Sequence, residues 1–169
     1  MKGIVLLTLT LIGVSTTCYA QLPTPTQLSH DIHVHGAISV VRTLDHGERF
    51  DAVLGEIASG KTAWIRLAPA LVNGTDAGNS MGLRIALARA LPVNPTAVLE
   101  VLDDAPVMAA SDVCGVPFIE PTHREVTTYL NRAIPAVTRV PESDRWPRRT
   151  ACLQALVDAR KELRGVGRK

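Results

Sequence analysis

Apolar side chains in this chain recur at spacings of three and four, and proline or glycine interrupts each run. A period near 3.6 gathers the apolar residues onto one stripe of a helix, and each Pro or Gly ends or kinks it. The 169 residues carry 11 prolines and 12 glycines, so the helices must be short. Ile38, Val41 and Leu44, then Phe50, Val53, Leu54 and Ile57, predict two of them, with Gly60 as a stop. Thr62 caps the next, in which Trp64, Leu67, Ala68, Leu71 and Val72 share a face and Pro69 forces a kink or a split into two turns. Asp76 or Ser80 opens the clearest amphipathic segment, with Leu83, Ala86, Leu87, Ala90 and Leu91 on one stripe, Arg84 and Arg89 turned to water, and Pro92 ending it.

Asn94 and Pro95 form a start signal for a short helix carrying Val98, Leu99 and Leu102. Residues 105–121, with three prolines and the apolar run from Val116 to Ile119, read as a long ordered loop. Thr122 and Glu125 have capping-box spacing, and Val126, Tyr129, Leu130, Ala133, Ile134 and Val137 form the longest face, bent at Pro135. Ser143 or Asp144 begins the last helix, which turns Cys152, Leu153, Leu156, Val157 and Leu163 inward. Strand-like alternation is confined to residues 31–34. The expectation is a single compact all-α domain of about six or seven short helices over residues 37–165, with no internal repeat.

The ends differ from this body. Lys2 precedes the apolar run from Ile4 to Leu11, and Cys18, Tyr19 and Ala20 stand before Gln21, which is the pattern of a signal peptide cleaved after residue 20. Residues 21–36, with Pro23 and Pro25 among Thr and Gln, read as an extended polar leader. Loss of Lys2 lowers the formal charge from +2 to +1, too little to attract nucleic acid, and the 4% aromatic content provides no base-stacking platform. No later run is apolar for the roughly 20 residues that a stable membrane insertion needs. The expected location is periplasmic or secreted. There Cys114 and Cys152, 38 positions apart, can pair in only one way and pin the domain with one disulfide.

Three motifs invite function. Residues 55–62 (GEIASGKT) satisfy the phosphate-loop pattern, yet Phe50, Val53, Leu54 and Ile57 read as a helix face where a strand is required, so the segment is expected to be a helix end at Gly60 and a new start at Thr62. His30, His33 and His35 supply three imidazoles within six residues, a partial Zn²⁺ or Cu²⁺ site if the backbone gathers them; against this stands a polar segment touching the surface. Residues 73–78 (NGTDAG) form a turn-rich loop that could bind an anion or a partner, but read rather as a helix connection needing residues tolerant of positive φ. No nucleophile–base motif, zinc-hydrolase motif or free cysteine is present, and Asp103, Asp104, Glu142 and Asp144 sit at helix boundaries where acids serve the backbone. The chain is therefore expected to be a non-enzymatic exported protein-binding module that needs no cofactor, of inhibitor, immunity or envelope-accessory type. Its partner would be a protein, and residues 105–121 the contact surface. The alternative is a periplasmic metal-binding protein using His30, His33 and His35.

Overall fold

The computed structural model describes residues 22–143 and 148–166. The expected signal peptide, Cys18, Asp144 and Trp146 lie outside the described residues. Every regular element within them is helical: α1 (Pro25–His35), α2 (Ala37–His46), α3 (Phe50–Ala58), α4 (Thr62–Ile65), α5 (Ala68–Leu71), α6 (Ala77–Ala90), α7 (Pro95–Val101), α8 (Ala110–Cys114), α9 (His123–Arg139) and α10 (Arg149–Val166), with a 3₁₀ turn at Val72–Gly74. Among the described residues, seven of these exceed a single turn, and α4, α5 and α8 are one turn each. Pro69 splits α4 from α5, as its ring and missing N–H require.

The leader is not extended. Thr24 accepts from the Gln27 amide, and the Gln27 side chain returns a bond to the Thr24 amide, so a capping box starts α1 with Pro25 in the first helical position, where its missing N–H is harmless. Leu28 then reaches the core at 1% exposure, which anchors α1 against α2 and α5. Burial of one leucine face decides what prolines in the sequence had suggested otherwise. The domain begins at α1, and Gly36, at φ 78°, turns the chain into α2.

Helix α6 is central rather than one-sided. Besides Leu83 and Leu87 it buries Ala88 and Ala90, and Gly82 stands where an added Cβ would lie 2.7 Å from Leu54 Cδ1 of α3. Small residues thus let α3 and α6 approach closely. Helix α9 runs through Pro135, whose ring lies on the exposed side, and ends at Arg139 because Val140 precedes Pro141 and must be extended (φ −69°, ψ 124°). The last helix starts at Arg149, later than expected. The Arg149 guanidinium instead donates to the Val140 and Thr138 carbonyls (2.6 and 3.1 Å), closing the C-terminus of α9.

Within residues 105–121 a helical turn appears. Asp112 accepts from the Val107 amide (3.2 Å), and α8 turns Ala110, Val113 and Cys114 inward. Cys114 and Cys152 are disulfide-bonded with Cα atoms 5.3 Å apart, joining α8 to α10. One continuous core runs from Leu28 to Leu156. No helix among the described residues is long and apolar enough to cross a membrane.

Candidate functional site

The phosphate-loop lookalike is a joint between helices. Gly55 lies inside α3, Gly60 takes φ 84°, and its carbonyl accepts from Asn94 Nδ2 (2.8 Å), which also reaches Thr62 Oγ1 (2.9 Å). The Lys61 ammonium pairs with Glu56, and Val93 occupies the space above Gly60. A phosphate cradle needs free amides and a free lysine. Here the Ser59 and Gly60 amides bond back to the Gly55 and Ile57 carbonyls, and the lysine is paired with Glu56.

Folding α1 as a helix also separates the histidines. His30 and His33 are one turn apart, while His35 lies about 140° around the axis from His30. His30 and His35 line the wide cleft between α1 and α2 together with Asp31 and Arg49, and His33 does not. Among the described residues no three His, Cys, Asp or Glu side chains come together to hold a metal ion. The boundary acids are engaged as well: Asp103 accepts from the Ala105 amide (2.8 Å), Asp104 pairs with Arg148, and Glu142 pairs with Arg149. The turn after α5 connects helices, yet Gly74 is there for space and not for positive φ. A Cβ on it would lie 2.3 Å from the Ala37 carbonyl oxygen.

A groove of about 550 Å³ lies where α6, α9 and residues 118–121 meet. One wall is the stripe Ile85, Arg89 and Pro92 from the end of α6; the other is Arg124, Thr128, Tyr129 and Arg132 from α9. These spacings of three and four aim each set from one helix face. Phe118, Ile119 and Pro121 close the end. Val116 and Glu120, at φ 62° and 45°, bracket Phe118 and Ile119, a left-handed conformation that a β-branched residue adopts only under constraint from its surroundings. Two constraints are at hand: the nearby Cys114–Cys152 bond, and the Phe118 ring, edge-on to Tyr129 with centroids 4.9 Å apart and planes at 89°. Ile119 is left 72% exposed, the most exposed large apolar side chain among the described residues.

The groove is cationic. The guanidinium groups of Arg89, Arg124 and Arg132 form no ion pair among the described residues. Its single acid, Glu125, is spent on the cap of α9, where the Thr122 hydroxyl and amide donate to its carboxylate (2.7 and 2.8 Å) and hold its pKa below the usual carboxylate value. Tyr129 is 8% exposed; its side chain lines the groove, its hydroxyl is buried without a hydrogen-bond partner among the described residues, and burial pushes the phenol well above its ordinary pKa, so it stays neutral.

No family model, curated protein or solved structure matches this chain.

The apolar end of the groove falls in the segment that the sequence marked as a contact surface. Its arginines were not marked, although Arg124, Thr128 and Arg132 repeat every four residues, and so do Ile85 and Arg89. That signal means nothing until the two stripes are known to face a common space.

Proposed function

We propose that this protein is an exported, non-enzymatic binding module that engages a protein partner through the groove between α6, α9 and residues 118–121. The observation that carries the reading is Ile119: a large apolar side chain held out to solvent on a disulfide-tethered loop, beside three guanidinium groups that have no ion-pair partner among the described residues. Folding gains nothing from exposing it, and an apolar anchor ringed by arginine is the composition that protein interfaces favour. The buried Cys114–Cys152 bond supports an oxidising compartment and so supports export.

The test replaces Ile119 with a photo-crosslinking phenylalanine in the native cell envelope, with the same substitution at exposed Asp51 of α3 as the control. A discrete adduct from position 119 alone is expected, together with an intact mass that begins at or near Gln21. No adduct, or the same adducts from both positions, overturns the binding reading; a mass retaining residues 1–20 overturns export.

A further inference from the structure

We infer that the occupant of this groove is an acidic peptide segment with an apolar residue close to its carboxylates, the apolar residue resting on Phe118 and Ile119 and the carboxylates meeting Arg89, Arg124 and Arg132. This rests on the groove being the contact surface and goes on to name the chemistry of what fills it.

Charge decides the sign. Among the described residues three guanidinium groups line the groove against one carboxylate, Glu125, whose Oε2 already accepts from the Thr122 hydroxyl and amide. A basic segment would face three like charges; an acidic one can form forked bonds to guanidinium, whose planar donors match a carboxylate. Tyr129 lines the same groove, but its hydroxyl is buried out of a ligand's reach, so the charge of the occupant is read from the arginines alone.

Apolar contact decides the rest. A free inorganic anion would leave Ile119 in water, and a purely apolar ligand would leave the guanidinium groups without a counter-charge while desolvating them. A segment carrying both features satisfies both walls. The distance between the arginine stripe of α9 and Ile119 lies within one groove, so a few residues of extended or helical peptide suffice to reach both.

The test pans a random ten-residue display library on the purified full-length protein and measures the recovered peptides by fluorescence anisotropy. Enriched peptides should carry Asp or Glu with Leu, Ile or Phe within a few positions. Their affinity should fall about tenfold or more in R124E/R132E, and about tenfold again between low and high salt, because exposed ion pairs are screened as the Debye length contracts from roughly 30 Å to 3 Å. The substituted arginines are exposed, so the melting temperature should stay within about 2 °C of wild type. Peptides that lose affinity in I119D but show no enrichment in acids would overturn the acidic occupant while leaving the groove as a contact surface. Recovery of basic peptides, affinity unchanged in R124E/R132E, or no enrichment at all would overturn the inference outright.

Discussion

Removing the disulfide tests how the C-terminal half is held. The bond closes a loop of 38 residues that contains the whole of α9, and α9 also packs on α10. In the chain-entropy treatment, opening a loop of that length returns about 4 kcal/mol of freedom to the unfolded chain. Both sulfurs are fully buried, so C114A/C152A also leaves two small voids, worth about 0.5–1 kcal/mol together. The expected loss is about 4–5 kcal/mol, a large share of the roughly 5–15 kcal/mol that holds a domain together. At this size it corresponds to a fall in melting temperature of about 10–20 °C. Urea unfolding followed by far-UV circular dichroism should show a second effect. The unfolded chain without its cross-link is more expanded, so the m-value should rise along with the loss of stability. Hydrogen exchange should accelerate first at residues 115–121, whose backbone has few partners outside the α8 turn, while α3 and α6 keep their protection. A loss below about 1 kcal/mol with an unchanged m-value, or two titratable thiols in unreduced wild-type protein after unfolding, would refute the reasoning.

Gly74→Ala should destabilise by about 1–3 kcal/mol because its Cβ meets the Ala37 carbonyl, whereas Gly55→Ala, exposed on α3 with open space around the new methyl, should stabilise by about 0.5–1 kcal/mol; thermal denaturation of the pair separates a packing glycine from an idle one. Lys61→Ala should change stability by less than about 0.5 kcal/mol, since the Lys61–Glu56 pair is exposed, and Mg-ATP should leave the melting temperature of either protein unmoved in a thermal shift assay. Tyr129→Phe should raise stability by about 1 kcal/mol in urea titrations, because the hydroxyl it removes is buried without a partner among the described residues. Thr122 holds the Glu125 pKa down, so the contribution of this cap is complete above the ordinary carboxylate range and is lost as pH falls through the lowered folded value; comparison of wild type with Glu125→Gln by acid titration should show wild type losing more stability below about pH 4.

Much of the candidate groove was hidden in the sequence for a geometric reason. Arg89 and Arg124 are 35 positions apart, and only the packing of α6, α8, α9 and α10 makes them neighbours of one space. Ile119 was legible as part of an apolar run in a proline-rich loop, but its exposure was not, since Phe118 beside it is half-buried against Tyr129.

What the sequence determined by itself is local. The spacing of Val126, Tyr129, Leu130, Ala133 and Val137 makes α9, Thr122 with Glu125 caps it, Asn94 with Pro95 starts α7, and Pro69 divides α4 from α5, because each of these acts within a turn or two of backbone. With Cys18 assigned to the expected signal peptide, the two remaining cysteines left no choice of pairing, and alternation over no more than four residues predicted no strand. Tertiary structure decided the rest. Leu28 makes α1 part of the domain by entering a core built from residues far along the chain, and that same helix disperses His30, His33 and His35. Gly74 and Gly82 matter for what lies across from them, Ala37 and Leu54, which no local pattern names. Helix formation is governed by neighbours in sequence, whereas close approach, burial and the meeting of two helix faces depend on how the finished helices pack.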